Sequence, residues 1–261
     1  MRNGIDPAPV HPGEFSNTDC CATCTKTPQE FCLVREVRLH PELVNNEFML
    51  PSRWPLYSTG DEANSVFIVC SGYLKLVATD VRGQRMVVQI AGPCSLLGLN
   101  AALFQGTHEL SAESLTEARL RSMDRGVLSD LMDRHHSIRR CVMAAVYRES
   151  HMLLEDVRRI GLSQTVARRL GSLLVDLSRQ IGVDGEENGS FPLVLSYSEL
   201  ASMVGTTRES ASRAIGEFVK RGWISIDHQH VTILDPESLT SPRTVKRNYL
   251  GPQSRLVPWV C

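Results

Sequence analysis

Ser196 to Trp223 reads SYSELASMVGTTRESASRAIGEFVKRGW. Ser196 and Glu199 have the spacing of a capping box: the serine oxygen accepts from the N–H three residues on, and the glutamate reaches back to the cap N–H. Leu200 and Met203 follow as a short apolar face, with Ala201 small enough for close helix contact. Gly205 falls where the chain must turn sharply, and glycine tolerates positive φ there. Thr207 is a second N-cap, its hydroxyl satisfying a free backbone donor. Ala211, Ala214, Ile215, Phe218 and Val219 then recur at helical spacing.

Arg208, Glu209, Ser212 and Arg213 fall off that stripe, near the start of the second helix. An arginine bonds guanine O6 and N7 in bidentate fashion, and a carboxylate accepts from cytosine N4. These four residues are read as base contacts. Thr206, Thr207 and Ser210 suit phosphate oxygens, aided by the free N–H groups of the helix start. The layout is that of a helix-turn-helix whose second helix enters a major groove of double-stranded DNA. An ordinary helical hairpin with a solvated face is the competing reading. Trp223–Ile226 and His230–Leu234 weigh against it, because they look like two short strands around a polar turn, the wing of a winged helix-turn-helix.

A length of 261 residues suggests two domains of ordinary size. The net charge of −1 gives no general electrostatic case for nucleic acid. Positive charge is local: Arg208, Arg213, Lys220 and Arg221 stand against Glu209 and Glu217, and the tail carries Arg243, Lys246, Arg247 and Arg255. No apolar run is long enough to span a membrane. The N-terminus MRNGIDPAPVHPGEFSNTD has no apolar core of a secretory signal, so a cytoplasmic location is expected. Thiols stay mostly reduced in that compartment, so eight cysteines ask for another explanation than disulfides. No Ser/His/Asp set, phosphate-binding loop or paired-carboxylate motif argues for an enzyme. His135-His136 reads as a solvated helix face.

Upstream, residues 33 to 51 read as helix. From Pro55 to Met123 short apolar runs are cut by turn signals: Val66–Cys70 ends at Ser71-Gly72, Tyr73–Ala78 at Asp80–Gly83, and Arg85–Ile90 at Gly92-Pro93. These are strands of a compact antiparallel unit. From Leu128 to Ile160 there is neither Gly nor Pro, and the pattern becomes one helix of roughly 45 Å. Val142, Val146, Leu153, Val157 and Ile160 form its apolar seam, which suggests pairing with a second copy. A homodimer also suits a helix-turn-helix, since two recognition helices read half-sites about 34 Å apart. Packing of that seam within the chain is the alternative. Gly161-Leu162-Ser163 ends the helix, Ser163 caps the next, and Gly182–Ser190 is a polar loop leading to the DNA-reading unit.

A β-roll, a long helix and a winged helix-turn-helix, in that order, resemble the CRP/FNR family of bacterial transcription regulators over roughly residues 20 to 236. The fold expected is α+β: a cyclic-nucleotide-binding-like antiparallel roll (33–127), a dimerisation helix (128–161) and a C-terminal winged helix-turn-helix (162–236), flanked by a cysteine-bearing arm (1–32) and a basic tail (237–261). The most specific match is Arg208-Glu209-Ser210-Ala211-Ser212-Arg213, against a family motif of the form [R/V]-E-[T/S]-x-[S/G]-R. The resemblance implies that Glu209 and Arg213 read a palindromic TTGAT- or TGTGA-like site. Arg208 resembles the guanine reader of the cyclic-AMP branch and Ser212 the reader of the FNR branch, so the operator stays open between the two. RNA polymerase is an implied partner if the protein activates.

Gly60-Asp61-Glu62 and Ser71-Gly72 also match the family roll. The nucleotide-binding form has a glycine–glutamate pair for the ribose and an arginine–serine pair for the phosphate. Here the segments read Gly92-Pro93-Cys94-Ser95-Leu96-Leu97-Gly98-Leu99 and Glu109-Leu110-Ser111-Ala112. Leu110 stands at the arginine position and cannot pair a phosphate, so no cyclic nucleotide is expected.

Cys20, Cys21, Cys24 and Cys32 lie close together before the roll. Thiolates so spaced suit an iron–sulfur cluster or structural zinc. The position resembles the oxygen-sensing FNR branch, where three N-terminal cysteines and one distal cysteine hold a [4Fe–4S] cluster. Cys21, Cys24 and Cys32 match the three. The resemblance puts Arg121 at the distal position, leaving Cys94 as the fourth ligand, with Cys20 or Asp19 as alternatives. A zinc site, a thiol switch, and thiols without a ligand are the competing readings. Cys70 and Cys141 read as buried apolar residues, Cys261 as an inert tail thiol.

Overall fold

The computed structural model describes residues 46–93, 95–162, 165–181, 190–227 and 230–240. The arm cysteines, Cys94, Ser163, Cys261, the loop at 182–189 and the tail beyond residue 240 lie outside them. Two compact units divide between His151 and Met152.

The first unit is the expected roll. Its strands are β1 (Asn46–Leu50), β2 (Pro55–Tyr57), β3 (Ser65–Ser71), β4 (Leu74–Thr79), β5 (Arg85–Ala91), β6 (Leu96–Leu97), β7 (Ser111–Ser114) and β8 (Ala118–Asp124). They form two antiparallel sheets, ordered β1-β8-β3-β6 and β2-β7-β4-β5. Side chains alternate across each strand. Phe48, Leu50, Val69, Leu74, Leu76 and Leu120 therefore share one apolar cluster. Val66, Ile68 and Met123 belong to a second cluster, made with three helices: α1 (Leu99–Leu103), α2 (Arg125–Arg134) and α3 (His136–Leu162).

Two expectations change here. Residues 46–50 are strand rather than helix, paired with β8, and their alternation buries Phe48 and Leu50. The long helix is two helices, broken at His135, whose φ of −121° and ψ of 110° are extended. The Arg139 guanidinium secures the break by donating to the Met132 carbonyl at 2.8 Å and 3.0 Å. A side-chain cap of this kind leaves no Gly or Pro in the sequence.

The second unit begins within α3 and continues with α4 (Val166–Ile181), β9 (Ser190–Pro192), α5 (Tyr197–Met203), α6 (Arg208–Lys220), β10 (Ile224–Asp227), β11 (His230–Ile233) and α7 (Pro236–Thr240). Thr165 caps α4, its Oγ1 accepting from the Arg168 N–H at 3.3 Å. Leu170, Leu173, Leu174 and Leu177 are buried along α4. The expected hairpin β10–β11 gains β9 as a third strand on the far side of β11. The tail begins as helix α7, which buries Leu239. A Cβ at Gly171 would lie 2.4 Å from the Leu239 carbonyl oxygen, so only glycine lets α7 approach α4 this closely.

Candidate DNA-reading surface

Both caps read from the sequence form. Ser196 Oγ accepts from the Glu199 N–H at 3.2 Å, and Glu199 Oε2 accepts from the Ser196 N–H at 2.8 Å. Thr207 Oγ1 accepts from the Ser210 N–H at 3.3 Å. Gly205 has φ +64° at the turn. Ala211, Ile215 and Phe218 are buried, fixing which side of α6 faces the unit's core. Val219, expected on that stripe, is exposed instead.

The opposite side of α6 presents Arg208, Glu209, Ser212 and Arg213, all exposed. Thr207 is exposed, and Thr206 and Ser210 are half-buried beside the helix start. The structure thus gathers all seven expected residues at one helix end. The Glu209 carboxyl is held below its ordinary value, first by its own backbone N–H, then by the Thr207 hydroxyl, with Arg208 and Arg213 adding to the effect. It stays an acceptor over the neutral range.

Arg169, which the sequence reading did not single out, and Trp223, expected to open a wing strand but lying just before β10, frame this surface. The Arg169 guanidinium, on α4, donates from Nε to the Val204 carbonyl at 2.7 Å, where α5 ends. At the other end of α6 the Trp223 N–H donates to the Phe218 carbonyl at 3.0 Å, and its ring lies 5.8 Å from that of Phe218. The Trp223 carbonyl accepts from the N–H groups of Leu234 and Asp235 at 2.8 Å and 3.0 Å. A doubled arginine in an amphipathic helix was the only trace of the first device.

The expected seam of α3 is distributed differently. Val142 is 2% exposed and packs with Ile68 and Leu128 of its own roll, and Val146 is half-buried against the same cluster. Val142 is therefore core, because its side of the helix covers the roll. The side chains of Leu153, Val157 and Ile160 lie outside the described residues. Within the first unit, the apolar residues that α3 leaves exposed are Met143 at 66% and Tyr147 at 68%, one turn apart.

The sequence pattern of the cyclic nucleotide-binding domain matches residues 50–135, and that of the Crp-like helix-turn-helix domain matches residues 168–241. The chain belongs to the CRP/FNR family. A "CRP-like cAMP-activated global transcriptional regulator" of Mycobacterium tuberculosis is 28% identical over 194 residues, covering 72% of this chain and 84% of that protein. An "Anaerobic regulatory protein" of Haemophilus influenzae is 25% identical over 184 residues, 70% of this chain and 71% of that protein. The solved structure of FixK2 from Bradyrhizobium japonicum has a TM-score of 0.68 at 21% identity, over 76% of this chain and 96% of that one. This CRP/FNR protein is a DNA-binding transcription regulator, and its relatives are regulators rather than enzymes. No helix among the described residues is long and apolar enough to cross a membrane.

Within the CRP/FNR roll, the ligand segments are filled by apolar contacts. Leu99, directly after Gly98, is 3% exposed in the cluster under the helices. Leu110 packs against the cluster between the sheets. Arg121, which the resemblance set at the distal ligand position, donates from Nε to Glu47 Oε2 at 2.8 Å, and Arg119 donates to the other oxygen of Glu47 at 3.2 Å. Among the described residues no group of three or more His, Cys, Asp or Glu converges as a metal site. Cys141 is buried in the helix-side cluster, as expected, whereas Cys70, expected to be buried too, is half-buried against that cluster.

Proposed function

We propose that this regulator works as a homodimer on a palindromic TTGAT- or TGTGA-like site and that its N-terminal cysteines make it responsive to oxygen or redox state. The exposed N-terminal end of α6 carries the DNA half of this reading. Arg208, Glu209, Ser212 and Arg213 supply donors and an acceptor for base edges, while Thr206, Thr207 and Ser210 sit where backbone N–H groups favour phosphate. Met143 and Tyr147 on α3 are the face offered to the second copy, displaced by one position from Val142 and Val146.

The sensing half rests on chemistry of the donor set. Cys21, Cys24 and Cys32 supply thiolates, the usual ligands of an iron–sulfur cluster. The apolar environments of Leu99 and Leu110 argue against a cyclic nucleotide as effector, and the name of the Haemophilus relative favours an anaerobic signal. When bound, a [4Fe–4S] cluster would supply a redox- and oxygen-labile centre. A zinc or thiol switch on the same cysteines, or another small-molecule effector, is the second reading. It draws on the gap from Cys24 to Cys32, which is longer than in the family pattern that the three cysteines otherwise resemble.

The test is DNA binding by fluorescence anisotropy with protein purified without oxygen. Tight binding to one palindrome, weakened at least tenfold by air, supports the proposal. Binding that ignores air but responds to a thiol oxidant favours the second reading. No sequence preference at all would overturn the DNA-reading assignment.

A further inference from the structure

We propose that Gly216 is where a sugar–phosphate strand of the duplex packs directly on the recognition helix, with Lys220 against its phosphate. This rests on the reading of α6 as the DNA-reading helix. Gly216 lies inside α6, away from either end. Glycine is among the poorest helix formers, and its usual uses are a positive φ or a close approach to backbone. Neither operates here within the chain. Gly216 has no positive φ, and nothing lies within 4 Å of a Cβ added to it. Every other glycine whose surroundings are described has one or the other. The neighbour that calls for glycine here therefore lies outside the chain.

Its place on the helix says which neighbour. Gly216 follows Glu209 by about two turns and so shares its side. Ser212 stands one turn before it and Lys220 one turn after, with Arg213 alongside, and all are exposed, as is Gly216 itself. Ala211, Ile215 and Phe218 hold the opposite side in the core. Gly216 is thus a gap in the middle of the exposed stripe, bracketed by the cations Arg213 and Lys220. An anionic strand suits that gap, because no side chain keeps it from the helix backbone and charge flanks it on both sides.

Along the helix axis Gly216 lies about 12 Å beyond Arg208, at 1.5 Å per residue. A major groove is about 8.5 Å deep and about 12 Å wide. A helix that reads bases with its first turns therefore has Gly216 at the groove rim, where the sugar–phosphate strand runs. Arg221, the other cation at this end, is held by Glu217 at 2.6 Å and lies over the Trp223 ring, which leaves Lys220 for the phosphate.

The test uses full-length protein purified without oxygen, as wild type, G216A, G216L and K220A. Fluorescence anisotropy measures binding to duplexes carrying a TTGAT palindrome, a TGTGA palindrome or a scrambled sequence, and each variant is melted thermally. Alanine is the better helix former, so G216A should melt at or above the wild-type temperature. It should nonetheless bind the preferred palindrome at least fivefold more weakly, and G216L at least fiftyfold more weakly. K220A should bind more weakly with a salt slope smaller by about one. G216A binding as tightly as wild type, or K220A with an unchanged salt slope, would overturn the inference. So would a G216A that melts below wild type, since the reason for glycine would then lie inside the chain. A wild type that prefers neither palindrome would remove the reading on which the inference rests.

Discussion

The Arg169 guanidinium donates to the Val204 carbonyl at 2.7 Å and approaches that of Gly205 at 3.4 Å. A cation on α4 thus satisfies the end of α5 just where the chain turns toward the recognition helix. Hydrogen bonds to a charged group contribute about 1.5–3 kcal/mol. R169A should lower stability by that amount, read as a shift in the urea midpoint with unchanged slope. Operator affinity should fall with it, because the turn sets the angle of α6. An R169A protein as stable as wild type would mean that the arginine does not hold the turn.

Arg213 is exposed on the side of α6 proposed to face DNA. R213A should weaken binding to the preferred operator by about 1–3 kcal/mol and relax discrimination at one base pair. The salt dependence should change little. A uniform loss across sequences, with a shallower salt slope, would make Arg213 a phosphate contact instead.

Two glycines with positive φ should respond very differently to alanine. At Gly205, φ is +64° and nothing lies within 4 Å of an added Cβ. G205A should cost only the left-handed backbone penalty, about 1–2 kcal/mol. At Gly72, φ is +80° and the Cβ would sit 2.2 Å from the Glu117 carbonyl oxygen. Overpacking adds to the backbone term there, for a total of about 2–5 kcal/mol. Thermal melts of both variants, side by side, check the contrast.

Met143 and Tyr147 are exposed on α3, whereas Val142 is buried in the roll. M143E/Y147E should raise the dimer dissociation constant at least tenfold in sedimentation while leaving the melting temperature of the roll unchanged. V142E should unfold the roll instead. A double variant that sediments as the wild-type dimer would place the interface elsewhere.

His108 is 5% exposed and stacks on Tyr57 at 3.7 Å between ring centroids. Burial lowers its pKa below the ordinary 6.5, and the nearby Asp61 only partly offsets this. The unfolded chain then binds the proton more readily than the folded one. Stability should accordingly be full above pH 6.5 and decline as pH falls from there toward the folded value. H108F, which keeps the ring, should flatten that part of the stability profile. An unchanged profile would assign the acid sensitivity to carboxylates.

The helix-turn-helix was legible because its signals are local: the Ser196–Glu199 box, Gly205, Thr207 and the spacing of Ala211, Ile215 and Phe218. The strands β3, β4 and β5 were legible for the same reason. What escaped depends on distant partners. Residues 46–50 alternate as NEFML, too briefly to mark a strand without its neighbour β8. Ser111–Ser114 holds its strand partly through Ser114, whose buried hydroxyl binds the turn after β1. The break at His135 is made by Arg139, a residue that any helix would accept. At the sensing end, spacing exposed the cysteines as a group.

Trp223 joins the last turn of α6 to both ends of the β10–β11 hairpin through one N–H and one carbonyl. These three bonds tie helix and wing into one reader and resist a change in the distance between them. Any misfit between this reader and an operator must be relieved by the duplex. DNA that bends or narrows cheaply at the right step will then be preferred even where no side chain touches a base. Flexible pyrimidine–purine steps outside the contacted half-sites should therefore count in the choice of operator, alongside any base that Arg213 reads.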